Sequence, residues 1–203
     1  MERLTVSLLE VVRRALADLE WCGADAALVG GLAIGARVLE RTTRDVDFAV
    51  AAADDPAAER VVRALSARGY GIALMLEQVA VDRLATVRCT SPLDGATMVD
   101  VLFASSGIEP EVVAAAEPLD IGLGVRCRVA RVGHLIALKV LARTERRPQD
   151  DQDLQALIGA ADPEELALAS AAVGSIQSRG YARGKDLAAE LEQQLRRFGV
   201  VGP

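Results

Sequence analysis

An apolar run that stops at two adjacent glycines, followed shortly by two carboxylates inside a β-like run, limits the folds open to this chain more than any other stretch. It reads Leu28-Val29-Gly30-Gly31, then a helix-like segment over 32–39, then a turn rich in Arg and Thr, then Asp45-Val46-Asp47-Phe48-Ala49-Val50. Side chains alternate across a strand, so Asp45 and Asp47 share a face with Cα atoms about 6–7 Å apart. Two like charges held that way repel. They make sense around a divalent cation, and hard oxygen ligands suit Mg²⁺ or Mn²⁺. The Gly30-Gly31 turn leaves backbone N–H groups bare at a helix start, where phosphate oxygens bind well. Alone, an Asp-x-Asp is most often a solvated strand edge and a Gly-Gly only a turn. In this order, with thirteen residues between Gly31 and Asp45, they point to chemistry on a nucleoside triphosphate.

A third carboxylate lies in the strongly β-like run Thr97-Met98-Val99-Asp100-Val101-Leu102-Phe103. Buried without a partner it would cost several kcal/mol. A metal ion shared with Asp45 and Asp47 would supply one; the plain alternative is an edge-strand Asp facing water.

With 203 residues, half of them hydrophobic, the chain can hold one sizeable domain, or a core with a helical appendage. Aromatics make up 3% of residues, which argues against a stacking surface for single-stranded nucleic acid. The formal charge of −6 removes any global attraction to nucleic acid. Lysine occurs twice, at Lys139 and Lys185, so a lysine inside a site marks a place where arginine was not equivalent. Cys22, Cys89 and Cys127 are scattered and odd in number, and read as free thiols in a reducing compartment. His134 is the lone histidine; it has no partner for a zinc site and reads as structural or surface. No signal-like apolar segment opens the chain, no run of about 18 apolar residues occurs, and the expected location is cytoplasmic, with no membrane partner.

Periodicity predicts an amphipathic helix over 3–20, strands at 26–29 and 45–51, and a helix entered through Asp54-Asp55-Pro56 and closed by Gly69. Strands follow at 71–78, 84–90 and 97–103, then a short helix at 109–116 and a hairpin around Gly122 and Gly124. A helix over 131–147 is stopped by Pro148. Helices follow at 150–158, 163–173 and 186–198, with 174–184 read as a hinge or turn because of Gly174, Gly180 and Gly184. The fold class is α+β, with an α/β part to about residue 130 and a helical part over 131–203.

In the helical part, Lys139, Arg143 and Arg147 are spaced four apart, on one helical stripe, and Asp150 and Asp153 share a face of the next helix. The plain account is a solvated face with ion pairs worth under about 1 kcal/mol each.

Taken together, Gly30, Gly31, Asp45 and Asp47 resemble the nucleotidyltransferase superfamily with a polymerase-β-like palm, whose third catalytic acid sits in a setting like that of Asp100. His134-Leu-Ile-Ala-Leu-Lys139, then Arg143, then Arg147-Pro-Gln-Asp150-Asp-Gln-Asp153-Leu154 is similar to the AbiEii-like branch, which includes toxins of type IV toxin–antitoxin systems. There a basic residue often precedes the first Asp; here Gln149 stands in its place. The resemblance covers about residues 26–158.

It implies a palm with a helical C-terminal part that transfers a nucleoside monophosphate from an NTP. It also implies that Asp45, Asp47 and Asp100 hold Mg²⁺ (or Mn²⁺), with Asp100 serving a second metal or acting as base toward the attacking hydroxyl. Gly30 and Gly31 would meet the phosphates, and Lys139 the triphosphate. Asp150 or Asp153 would fix Lys139 and Arg143 or touch the acceptor, with Asp153 among the catalytic set. Arg143, Arg41 and Thr43 are further nucleotide contacts, and Arg44 is a rim residue. The acceptor stays open between tRNA or other RNA, protein, and a small molecule of the aminoglycoside or lincosamide kind. An antitoxin protein is the implied partner. Two other classes compete: a non-catalytic nucleotide-binding or interaction module that keeps the palm, and a plain structural α/β domain.

Overall fold

The structure is a computed structural model that describes residues 7–38, 42–144 and 148–200. The first helix, α1 (Leu8–Trp21), starts where Ser7 accepts a hydrogen bond from the Glu10 amide and Glu10 reaches back to the Ser7 N–H. That reciprocal pair satisfies two amides left bare at a helix start. Strand β1 (Ala26–Val29) runs directly into α2 (Gly30–Arg37), and β2 (Asp45–Val50) returns beside it. Helix α3 (Asp55–Ala67) is capped by Asp54, with Pro56 in its first turn. Strands β3 (Gly71–Gln78), β4 (Arg83–Thr90) and β5 (Met98–Leu102) follow. After α4 (Glu109–Ala115), β6 (Glu117–Asp120) and β7 (Arg126–Val129) form a hairpin. The chain then turns helical: α5 (Val132–Ala142), α6 (Pro148–Ala160), α7 (Pro163–Ser178) and α8 (Leu187–Arg197).

The seven strands form one mixed sheet in the order β3-β4-β5-β2-β1-β7-β6. Strands β2 and β5 are parallel, with Asp47 directly opposite Asp100; β4 is antiparallel to β5, with Arg88 opposite Asp100. Leu74 of β3 lies opposite Arg88, and Val29 of β1 opposite Asp47. Directly opposed residues share a sheet face, so Leu74, Arg88, Asp100, Asp47 and Val29 form one row across five strands. One aliphatic core continues from the sheet into the helices, including Leu19, Leu28, Phe48, Val101, Ile136, Leu157 and Ile176. The α+β architecture read from the sequence is the one observed. No helix among the described residues is long and apolar enough to cross a membrane.

Several boundaries differ from the periodicity: α1 starts at Leu8, where Ser7 caps it, α2 starts at Gly30, and Pro148 opens α6; two further differences move site residues or turns. Helix α5 ends at Ala142, and Arg143 takes an extended ψ of 137°, because the Lys185 ammonium caps the free carbonyls of Val140, Leu141 and Arg143. Arg143 therefore leaves the helical stripe assigned to it, and Arg147 lies outside the described residues. Helix α7 runs through Gly174 to Ser178, since Ala169, Ala172, Val173 and Ile176 all bury at helical spacing. The turn is confined to the residues after it.

Candidate active site

The row across the sheet opens into a cleft of about 520 Å³, a volume that suits a small-molecule ligand. Its wall takes Gly30, Gly31, Thr43, Asp45, Asp47, Arg88 and Asp100 from the sheet side, Lys139, Gln149 and Asp150 from α5 and α6, and Ser105, Ser106 and Arg183 from two loops.

Gly30 has φ of +64°, a conformation that costs a side chain roughly 1–2 kcal/mol. A Cβ built there would overlap the carboxylate of Asp47. Glycine is thus required twice, by its dihedral and by the side chain opposite. It lets the start of α2 close down on Asp47, and the first amides of that helix, which have no intrahelical acceptor, belong to residues on the cleft wall.

Asp47 is the most perturbed group of the cleft. Burial raises its pKa to about 7, and repulsion from Asp100 and Asp45 adds to this. Asp100 receives both arms of Arg88, Nε at 2.7 Å and Nη2 at 2.6 Å. The same Nη2 stands 3.9 Å from Asp45. Three carboxylates therefore face one guanidinium. Among the described residues no three His, Cys, Asp or Glu side chains are gathered tightly enough to enclose an ion. The donor set still fits a hard divalent cation: oxygen-only, acid-rich, and short of positive charge. Asp45 and Asp47 are on one strand face, as alternation predicts. The partner that the buried Asp100 needs is, in this structure, the half-exposed Arg88.

Lys139 projects from α5 between two buried acids of α6, 3.1 Å from Asp150 and 2.9 Å from Asp153. Gln149 adds a bond to Asp153 at 3.4 Å. The second Asp150 oxygen, Oδ2, is buried without a hydrogen bond. Asp153 lies behind Lys139 and off the cleft wall. Thr43 is on the wall, its hydroxyl donating to the Asp45 carbonyl at 3.4 Å. Arg143 is not; it pairs with Asp151 at 2.8 Å and Glu190 at 3.1 Å. Arg41 lies outside the described residues. His134 is buried in α5 away from the cleft, and burial lowers its pKa. The cysteines are free, and burial raises Cys89 and Cys127 to about 11.

Arg88, Ser105, Ser106 and Arg183 also line the cleft but carry no motif. Arg88 could have been flagged as the polar member of an alternating strand next to the Asp100 strand. Arg183 has φ of +55° and donates to the Ser105 carbonyl at 3.0 Å and hydroxyl at 3.1 Å; no local signal marks it.

A family model described as the nucleotidyl transferase AbiEii toxin of a type IV toxin–antitoxin system matches residues 14–198. No curated protein matches the chain by sequence. Among solved structures, the solution structure of the antibiotic-resistance factor ANT(2'')-Ia is similar with TM-score 0.55 at 14% identity, over 93% of this chain and 97% of that one. The crystal structure of ANT(2'')-Ia in complex with adenylyl-2''-tobramycin gives 0.53 at 14%, over 86% and 99%. An antigenic nucleotidyltransferase-like protein from Paracoccidioides brasiliensis gives 0.52 at 18%, over 91% and 92%. At these identities the likeness is one of fold.

Proposed function

The chain belongs to the AbiEii nucleotidyltransferase toxin family of type IV toxin–antitoxin systems, and from that premise we propose that it moves a nucleoside monophosphate from an NTP to an acceptor hydroxyl in a divalent-metal-dependent reaction. The observation that carries this reading is the excess of carboxylate on one sheet face: Asp45, Asp47 and Asp100 share a cleft with Gly30 and Gly31, and Arg88 is the cation paired with Asp45 and Asp100. Asp45, Asp47 and Asp100 would hold Mg²⁺ or Mn²⁺. Such a metal neutralises charge on the triphosphate and its leaving group.

The remaining roles follow from where the side chains stand. Gly30 and Gly31 present amides to phosphate oxygens. Lys139, locked by Asp150 and Asp153, offers a fixed point charge. Asp100 accepts the proton of the acceptor hydroxyl as its oxygen bonds to the α-phosphorus and the bond to the β-phosphate oxygen breaks, releasing pyrophosphate. Arg88 holds Asp100 in orientation. Arg143 serves at a distance, by tying α5 to α6 and α8. The sheet part, 1–130, carries the acids, and the helical part, 131–203, carries Lys139 and Arg183. We place the reaction in the cytoplasm, as a toxin restrained by an antitoxin protein.

The acceptor divides the reading. A macromolecular acceptor, tRNA or other RNA or a protein, would suit a toxin of this family. A small-molecule acceptor is the second reading, since ANT(2'')-Ia, whose fold is similar over nearly the whole of both chains, is an antibiotic-resistance factor.

Titration of the four ribonucleoside triphosphates tests the core of the proposal, with and without Mg²⁺, on wild type and on Asp45→Ala/Asp47→Ala, read by calorimetry. Binding that requires Mg²⁺ and vanishes in the double variant is expected. Metal-independent binding, or none by a folded wild type, would overturn it in favour of an interaction module that keeps the palm.

A further inference from the structure

We propose that Arg183, held against Ser105, selects the acceptor by binding a phosphate group carried beside the reacting hydroxyl. The proposal rests on the transferase reading and narrows its open end.

Three cations line the cleft among the described residues: Arg88, Lys139 and Arg183. Two of them are neutralised. Arg88 pairs with Asp100 at 2.6 Å, and Lys139 with Asp150 at 3.1 Å and Asp153 at 2.9 Å. Arg183 forms no ion pair among the described residues; its bonds run from Nη2 to the Ser105 carbonyl at 3.0 Å and hydroxyl at 3.1 Å. Nε and Nη1 remain as donors. The Ser105 hydroxyl accepts from Arg183, so its own proton is left to give. A guanidinium and a hydroxyl with donors to offer, and no acid between them, suit phosphate oxygens.

The guanidinium is held in place from several sides. Arg183 has φ of +55°, between Gly180 at +84° and Gly184 at +76°. That backbone region costs a side chain roughly 1–2 kcal/mol and persists where the surroundings impose it. Here Arg179 donates to the Gly107 carbonyl and to Glu111, both at 2.5 Å. The buried Tyr181 lays its ring on Gly107, where a Cβ would overlap it. The receiving loop is fixed in turn: Ser106 donates through its amide at 2.7 Å and its hydroxyl at 2.9 Å to the buried Glu109. The turn after α7 and the loop after β5 are thereby joined into one wall.

Position favours the acceptor over the donor. Strands β1, β2 and β5 are neighbours in the sheet, with β2 in the middle. Gly30 and Gly31 follow β1, Ser105 follows β5, and Asp45 and Asp47 lie on the strand between. Because β1 is antiparallel to β2 and β5 parallel to it, the glycines leave at one end of these strands and Ser105 at the other. In an in-line transfer the acceptor oxygen bonds to the α-phosphorus from the side opposite the departing pyrophosphate. With the pyrophosphate on the glycine amides, the acceptor enters from the corner of Asp100 and Ser105. A phosphate-bearing acceptor meets Arg183 there. A polycation of the aminoglycoside kind meets like charge, since Glu111 is paired with Arg179 and Glu109 is buried.

Calorimetry on the full chain tests this, with Mg²⁺ and the α,β-methylene analogue of the preferred NTP at saturation. The probes are ribose 5-phosphate and a ribo-hexanucleotide with a free 3′-hydroxyl, and tobramycin is the cationic control. At least one phosphate probe is expected to bind, and which one does tells a small phosphomonoester acceptor from a nucleic acid. Arg183→Gln, which keeps a donor but removes the charge, should weaken that probe at least about tenfold, and Arg183→Lys should recover part of the loss. Affinity for the NTP analogue and the thermal midpoint should stay at wild type in both. Failure of both phosphate probes to bind, tobramycin binding in their place, unchanged probe affinity in Arg183→Gln, or loss of NTP-analogue affinity in that variant would each overturn the proposal and leave the transferase reading intact. A folded wild type that binds no NTP analogue sinks the transferase reading itself, and the proposal with it.

Discussion

Asp18 of α1 and Asp47 of β2 are both carboxylates removed from free water, yet the protein treats them oppositely. Asp18 is fully buried between Arg14 and Arg68, with Arg68 Nε at 2.7 Å, and Arg68 also lies over the Trp21 ring, 5.1 Å from its centroid. Burial works to raise the Asp18 pKa, but the hydrogen bonds from Arg14 and Arg68 outweigh it and the net shift is downward. Asp47 is pushed up to about 7 by burial and by Asp100 and Asp45. One acid with two guanidiniums is a saturated cluster that binds elements together. Three acids with one guanidinium is an unsaturated cluster waiting for positive charge. Burial alone does not set the direction of such a shift; the local balance of charge does.

Substitutions can break that contrast. The largest effect is expected at Asp47→Asn, which should lower nucleotidyl transfer by at least about a thousandfold, roughly 4 kcal/mol, while leaving thermal stability equal or higher, since it removes a repulsive charge. Loss of activity accompanied by unfolding would put Asp47 in the structural class. Asp18→Ala should show the reverse, costing about 3 kcal/mol in denaturant unfolding with kcat per folded molecule preserved. The sign of its pH dependence follows from its depressed pKa: the stabilisation is complete above the unfolded value near 3.9 and is lost as pH falls through the lower folded value. Acid unfolding of wild type should therefore steepen below about pH 4, and Asp18→Asn should flatten that limb.

Gly30→Ala straddles both classes. It should cost about 1–2 kcal/mol of stability from the backbone alone and displace Asp47, so nucleotide affinity falls with it; an alanine variant with wild-type binding would refute the packing account. The smallest effect belongs to Arg88→Met. Removing this guanidinium should tighten Mn²⁺ binding severalfold, measured by calorimetry without nucleotide. Weaker Mn²⁺ binding would mean that Arg88 assembles the acids more than it competes with the ion.

The strands bearing the acids were legible because a two-residue period fixes which side chains share a face, and Asp45, Asp47 and Asp100 stand out against Val and Phe. The glycines were legible because few other pairs permit a strand to pass straight into a helix. Arg88 was hidden, since a lone arginine in a strand reads as solvated and its partner Asp100 is twelve residues away. Arg143 was misplaced because Leu-Ala-Arg-Thr contains no helix breaker; the stop comes from Lys185, more than forty residues on. Gly133 was silent too: a Cβ there would overlap the Glu165 carbonyl, and it lets α5 and α7 approach closely. Each hidden feature is a contact between distant segments, to which local periodicity is blind.

The closeness of Gly30 to Asp47 also bears on how such sequences drift. The two residues lie on different elements, yet neither position can vary alone: any side chain at 30 evicts the carboxylate at 47, and a smaller residue at 47 lifts much of the restriction at 30. They form one heritable unit. A descendant that lost the Asp47 carboxylate would relieve the worst of the overlap at 30 but not all of it, since the Cβ of residue 47 is itself 2.9 Å from a Cβ built there.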